Sequence, residues 1–435
     1  MLLFFSICAK LFLLRCFLKE TVRGKHKREI LFINMKKVLN MRKEFEKMKK
    51  TIAILLAFSL WSMVTSSFSA VADMESVSAY TAEVDARACI LMDAKTGKVL
   101  FEKNADEALP PASVTKVMTM LLIFEAIDAG LLSYTDMISV SENAASMGGS
   151  QIFLAPGEKM SVDDLLKGLI VASGNDAAVA LAEAVAGSEE AFVMKMNERA
   201  AELGMVNTHF ENTNGLDDTS ENHVISARDI AIATREVLKH PKVLEYSSIW
   251  MDTIRDGAFG LTNTNRLIRF YDGATGLKTG STSKAKFCIS ATAERGGLSL
   301  IAVILGSSTK DARNELAKSL FDFGFANYAC YTDHEAEMAQ VRVPNGVKDT
   351  LSTYHEAFEI TLAKGDISKI ETRVDIPEKL AAPVTEGQKI GTVTYLVGGK
   401  EIGVSDVLAA ESIDDLDFFS LFPRLFAWFL MAERK

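Results

Sequence analysis

Apolar and polar positions fall into three textures along the central part of this chain. Two apolar runs, Cys89-Ile-Leu-Met92 and Lys98-Val-Leu-Phe101, flank Asp93-Ala-Lys-Thr-Gly97. The Gly and polar residues between them suit a turn, which predicts a β-hairpin over 88–102. After Pro110-Pro111 the spacing becomes helical, over 113–129 with Gly130 as its stop, then over 162–172, 177–186, 188–203 and 227–238. From Thr275 short runs rich in Ile, Val and Ala predict strands at 276–279, 286–293 and 298–306. Residues 311–328 return to helix, with Leu316, Leu320 and Phe323 on one face. A strand pair, a helical middle and closing strands predict an α+β domain over 83–330, an antiparallel sheet with helices packed around it. Past a short link near 331–336, alternating stretches at 357–362, 370–374, 389–396 and 400–407 predict a small all-β domain over 337–410, with Gly398-Gly399 as a hairpin turn.

The two ends are patterned differently. Lys47, Lys49 and Lys50 precede an apolar stretch over 52–64, and Ala70-Val-Ala72 supplies an A-x-A cleavage site. Residues 48–72 therefore read as a signal peptide for export. The stretch is too short and too Ser-rich to suit a membrane span. Residues 1–47 then fit as upstream sequence, with Met48 (or Met41) the start. At the other end, residues 416–431 pack five Phe and a Trp into sixteen positions. A helix that apolar, ended by Glu433-Arg-Lys435, is predicted over 413–435 to lie in the outer face of the cytoplasmic membrane rather than cross it.

Charge sharpens this division. The 435 residues carry a net charge of −9, yet residues 1–50 hold 14 Lys/Arg against 4 Asp/Glu. Residues 73–435 are left with a net of −19, a body that phosphate would repel, so nucleic acid is excluded as a partner. Past the cleavage site Cys89, Cys288 and Cys330 remain, an odd and sparse set that is no disulfide framework. Cys288 lies in an apolar run and is expected as a buried core thiol. The six histidines are scattered without a His-Glu-x-x-His pair, so neither a metal nor another cofactor is expected.

Three short strings carry the chemistry: Ser113-Val-Thr-Lys116, Ser173-Gly-Asn175 and Lys278-Thr-Gly280. A serine hydroxyl needs a base to become a nucleophile. Ser113 and Lys116 are three residues apart at a helix start and share a face. Lys116 can be that base if burial and a second cation, for which Lys278 is the candidate, pull its pKa down. Ser173 could relay a proton between Lys116 and a leaving amine, and Asn175 could hold a substrate backbone. Lys278 and Thr279 could bind a carboxylate, while Gly280 would let a peptide backbone approach closely. The backbone N–H groups of Ser113 and Ser281 are candidate oxyanion donors.

The three strings in this order resemble the active site of penicillin-binding proteins and serine β-lactamases. The likeness extends to Pro110-Pro-Ala-Ser-Val-Thr-Lys116, Ala145-Ser-Met-Gly-Gly-Ser-Gln151, Val171-Ala-Ser-Gly-Asn-Asp-Ala177, Thr208-His-Phe, Asn214-Gly-Leu216, Ser226-Ala-Arg-Asp229 and Thr262-Asn-Thr-Asn-Arg266. Over 83–330 the chain is similar to the D-alanyl-D-alanine carboxypeptidases of the low-molecular-mass penicillin-binding type, serine peptidases of family S11. The resemblance implies a β-lactamase/transpeptidase-like domain, then a small β-sandwich and an anchoring helix. It implies acylation of Ser113 by the penultimate D-Ala of a peptidoglycan stem peptide, hydrolysis of the ester, and covalent capture of β-lactams. The stretch Asp217-Asp-Thr-Ser-Glu-Asn-His223 is longer and more polar than the family pattern, so His223 is assigned to a surface loop without a role. Other readings weigh less. A class A β-lactamase needs a Glu-x-x-x-Asn base between the second and third strings, and no convincing one is present. A sensor module would show a damaged Ser or Lys. A Ser-His-Asp hydrolase needs Gly-x-Ser-x-Gly, which is absent. A D,D-endopeptidase of the same group shares every motif and stays open.

Overall fold

The computed structural model describes residues 80–217, 220–417, 421–422 and 425–426. The expected upstream segment 1–47 and signal peptide 48–72 lie outside the described residues, as does most of the expected helix 413–435.

The first expected hairpin forms as β1 (Ala88–Asp93) and β2 (Val99–Lys103). Asp93 closes its turn, accepting from the N–H and hydroxyl of Thr96 at 2.6 and 3.0 Å. Strands β3 (Ala274–Thr282), β4 (Lys286–Arg295) and β5 (Leu298–Ser307) complete a five-stranded sheet in the order β2-β1-β5-β4-β3, with every neighbour antiparallel. The continuous apolar run of β5 has a physical cause. Side chains alternate across a strand, and here both faces are covered. Ile301, Val303 and Leu305 join Ile90 and Met92 under the main helical layer. Leu300, Ala302 and Ile304 join Leu91 under Leu316, Leu320 and Phe321 of the closing helix.

The helical layer comprises α1 (Lys116–Asp128), α2 (Val162–Ile170), α3 (Asn175–Ala186), α4 (Glu189–Glu202) and α5 (Ala227–Val237), and the closing helix is α6 (Lys310–Asn327). Side chains of Ser161, Ser188, Ser226 and Thr309 cap the starts of α2, α4, α5 and α6. Helix α1 is apolar on nearly all sides and runs through the core. Its first residue is Lys116, and the expected helical residues 113–115 form a 3-10 turn (Ala112–Thr115) leading into it. Cys288 is fully buried, as expected.

Two sequence expectations are corrected here. Residues 331–333 are no link: β6 (Tyr328–Asp333) pairs antiparallel with β7 (Phe358–Ala363). Lys98 donates to the Thr361 carbonyl at 3.0 Å and the Thr361 hydroxyl donates to buried Asp93, tying this pair to the first hairpin. Nor does helix begin at 413. Ile413 is fully buried in the all-β core and bridges Val384, and the Leu416 N–H donates to the Asn345 carbonyl. Strands β8 (Ile370–Asp375), β9 (Lys389–Val397) and β10 (Lys400–Ala409) form a second five-stranded sheet with Ala336–Glu337 and Thr353–His355. Among the described residues no helix is long and apolar enough to cross a membrane.

Candidate active site

The three strings converge on one cleft of about 170 Å³, lined by Ser113, Ser173, Thr279, Gly280 and Ser281, and also by Ser150, Thr264, Phe287, Lys310 and Arg313. Ser113 projects from the 3-10 turn at the start of α1, Ser173 ends the loop before α3, and Lys278 to Ser281 lie on edge strand β3. The nucleophile turn packs directly on that strand. A Cβ on Gly280 would stand 2.7 Å from the Ser113 nitrogen and 2.9 Å from that of Val114. Gly280 was expected to admit a substrate backbone; on its Cβ side it already admits the backbone of the nucleophile turn.

Lys116 is fully buried and its Nζ meets three acceptors: Ser113 Oγ at 3.0 Å, Asn175 Oδ1 at 2.5 Å and the Asn214 carbonyl at 3.1 Å. Two of these can only accept. The Asn175 amide is oriented by its Nδ2, which donates to the Gly148 carbonyl at 2.7 Å, so Oδ1 faces the lysine. A neutral Lys116 therefore keeps one N–H on Asn175 and one on Asn214, and its lone pair is left facing the Ser113 hydroxyl. Burial, then the charge on Lys278, hold Lys116 well below the usual lysine pKa, with Asp176 opposing them. The expected second cation is thus in place. Asn175, expected to hold a substrate backbone, also orients the base: its Oδ1 accepts from Lys116 while its Nδ2 donates to the Gly148 carbonyl.

Lys278 is 1% exposed and donates to Ser173 Oγ at 2.7 Å and to the Thr279 carbonyl at 2.8 Å. Burial, helped by Arg313, pulls it down to about 7. Thr279 donates to the Thr264 hydroxyl at 2.8 Å, and Ser281 is exposed at the cleft. Ala112 and Ser173, one beside the nucleophile and one in the second string, both have positive φ, 49° and 64°. Each costs a non-glycine residue roughly 1–2 kcal/mol, which the surrounding contacts must over-determine.

Sequence reasoning gave no role to Arg313 or Asp176 and misplaced His223. Arg313 is 2% exposed on the cleft wall, and it donates to neutral groups, Asn314 Oδ1 at 2.8 Å and the Cys288 carbonyl at 3.2 Å. Burial lowers it to about 10, so it stays charged at neutral pH. A signal existed. Arg313 stands three, four and seven residues before Leu316, Ala317 and Leu320, on the apolar stripe of α6. Asp176 accepts from the N–H groups of Ile152, Leu154 and Ala177, pinning the loop that bears Ser150. His223, expected on a surface loop, is 5% exposed and sits behind the nucleophile turn, 2.8 Å from Thr115 Oγ1. Among the described residues no cluster fit to hold a metal ion occurs.

Comparison with known proteins places this geometry. Residues 74–309 match the peptidase S11 family, D-alanyl-D-alanine carboxypeptidase, and residues 332–415 match the penicillin-binding protein 5 C-terminal domain. The chain is 43% identical to D-alanyl-D-alanine carboxypeptidase DacF of Bacillus subtilis, over 78% of this chain and 89% of that protein. It is 36% identical to DacC of Escherichia coli, over 77% and 86%. Penicillin-binding protein 5 from Haemophilus influenzae superposes with a TM-score of 0.66 at 33% identity, covering 77% of this chain and 99% of that one. With its serine, two buried lysines and shared cleft, the chain belongs to the D-alanyl-D-alanine carboxypeptidase family, peptidase S11.

Proposed function

We infer that this protein is a serine-type D-Ala-D-Ala carboxypeptidase that removes the terminal D-alanine of peptidoglycan stem pentapeptides through an ester on Ser113. The reading rests chiefly on the coordination of Lys116, whose two carbonyl acceptors aim its lone pair at Ser113 Oγ. Neutral Lys116 takes the Ser113 proton as Oγ bonds to the carbonyl carbon of the penultimate D-Ala. The oxyanion that forms is held by the N–H groups of Ser113 and Ser281. Ser173 gives its proton to the amine as the C–N bond breaks and D-alanine leaves, and is reprotonated by the proton that Lys116 took from Ser113, which returns Lys116 to its neutral form. Water then hydrolyses the ester. Lys278, Thr279 and Arg313 receive the substrate carboxylate; Lys278 and Arg313 are buried cations that no carboxylate pairs among the described residues. A β-lactam presents the same reactive carbonyl and carboxylate, and captures Ser113 likewise.

D-alanine release from a synthetic stem pentapeptide tests this. The free acid is expected to be cleaved at least about 10-fold faster than its C-terminal amide, the worth of a charge-assisted contact. Cleavage of a cross-linked peptide dimer in preference to the pentapeptide would move the assignment to a D,D-endopeptidase.

For location, we propose export by residues 48–72 and attachment to the outer face of the cytoplasmic membrane through the aromatic terminus. Support comes from composition and from Phe422, Leu425 and Phe426, which are 55–60% exposed. Because residues 413–417 belong to the β module, a truncation should begin at 418. Removing 418–435 is expected to shift active enzyme from the membrane pellet to the supernatant, and retention in the pellet would reject the anchor.

A further inference from the structure

Residues 209–217 and 220–225 lie behind the nucleophile turn, with His223 against it. Three contacts join the two. The Asn214 carbonyl accepts from Lys116. Gly215, at φ +84°, lies so close that a Cβ there would overlap the Ala112 carbonyl oxygen at 1.9 Å. The third contact is His223 Nε2, 2.8 Å from the Thr115 hydroxyl, across 108 residues of sequence.

The hydrogen bonds around His223 fix its tautomer. The Glu211 N–H donates to His223 Nδ1 at 3.0 Å, so Nδ1 carries no proton. The proton of the neutral ring is then on Nε2 and is donated to Thr115 Oγ1. Thr115 in turn donates its hydroxyl to the Ala112 carbonyl at 2.9 Å. One directed chain thus runs from the Glu211 backbone through the imidazole and the threonine to Ala112, the residue before the nucleophile. The ring is held edge-on by Phe210, with centroids 5.8 Å apart. Burial, with His209 nearby, takes its pKa down to about 4, against the weaker pull of Asp217, so the neutral ring persists where Lys116 works. Asn212 supports the same segment, accepting from the Gly215 N–H and donating to the Leu216 carbonyl.

Ala112 is not glycine yet has φ +49°, so its conformation must be imposed by neighbours. The imidazole grips that turn through Thr115 and the Asn214 segment through Glu211. These are the two parts whose relative position decides whether the Lys116 lone pair faces Ser113.

We propose that His223 is a positioning residue for acylation, holding the Ala112–Thr115 turn and the Asn214 carbonyl in register through Nε2–H to Thr115 and Nδ1 from Glu211. The inference rests on Lys116 acting as the base for Ser113. It makes His223 an indirect participant that touches neither substrate nor the reacting atoms.

The test is the rate of acylation by a fluorescent penicillin under single-turnover conditions, measured on the full chain and its variants, each well below its own melting temperature. Gln places an amide nitrogen near the position of Nε2, whereas Asn reaches only the position of Nδ1. His223→Asn is expected to slow acylation about 10- to 100-fold, in the range for a displaced catalytic group. His223→Gln is expected to stay within about threefold of wild type. Thr115→Val cuts the same chain at its other end, so it should match His223→Asn, and the double variant should be no slower than either. If His223→Asn does not fold, the Gln and Val variants carry the comparison. Equal wild-type rates in the Asn and Gln variants, or a Thr115→Val rate at the wild-type level, would overturn the proposal. So would rate losses that only follow the folded fraction. A wild type that forms no adduct on Ser113 would instead overturn the reading beneath it.

Discussion

Replacing Ser113 by alanine is expected to lower D-alanine release by at least about 10⁴-fold and to abolish the covalent penicillin adduct. The effect should be chemical rather than structural. Ser113 Oγ is one of three acceptors on Lys116, and a neutral lysine satisfies both its N–H groups on Asn175 and Asn214 alone. The alanine methyl leaves no buried donor stranded, and the melting temperature should stay within about 3 °C of wild type. Ser173 could not take over. Its oxygen accepts from Lys278, whose proton is held on that side, so the base is not aimed at it. Turnover and adduct mass, measured together, decide the matter: an adduct surviving on the variant would place the nucleophile elsewhere.

What the sequence could announce, and what it could not, divides along a physical line. The three strings were legible because each is local: four residues over one turn, one loop, one strand. The order of elements was legible too, since β5 and α1 are apolar enough to imply coverage on all sides. Less visible were parts whose meaning depends on who packs against them. Gly280 and Asn175 were recognised as site residues, but their partners are the nucleophile turn and Lys116, both far away in sequence. His223 stands in a polar run that reads as a solvated loop, and contacts with Phe210 and with Thr115, 108 residues distant, hold it inside. Arg313 was the recoverable omission, because a charged residue on an apolar helical stripe must be either paired or functional. The short strand pairs Met137–Ser139 with Lys159–Ser161 and Met251–Ile254 with Phe259–Thr262 were passed over because three or four residues carry too little periodicity.

Lys116→Met should leave a folded protein whose acylation is slower by about 10²- to 10⁴-fold, the usual worth of a positioned general base. The thermodynamic balance explains the folded half of that statement. Asn175 Oδ1 and the Asn214 carbonyl lose their donor, at about 1–3 kcal/mol each. Against this, Lys116 no longer has to give up its proton on burial, which costs several kcal/mol for a group whose ordinary pKa is about 10. The two nearly cancel, and the catalytic loss cannot be blamed on unfolding. The pH dependence identifies the missing group. Lys116 must be neutral to act, and its pKa is depressed, so wild-type acylation rises with pH as that proton leaves. Lys278, at about 7, titrates close by and must keep its proton to receive the carboxylate. Two such neighbours lose their protons in two macroscopic steps, and the productive state is the singly protonated pair with the proton on Lys278. Wild type should therefore give a bell-shaped profile, rising with the first step and falling with the second. In Lys116→Met only Lys278 remains, so the falling limb persists and the rising limb disappears. A variant that kept its rising limb would show that Ser113 gives its proton to another base, with Lys278, reached through Ser173, the next group to examine.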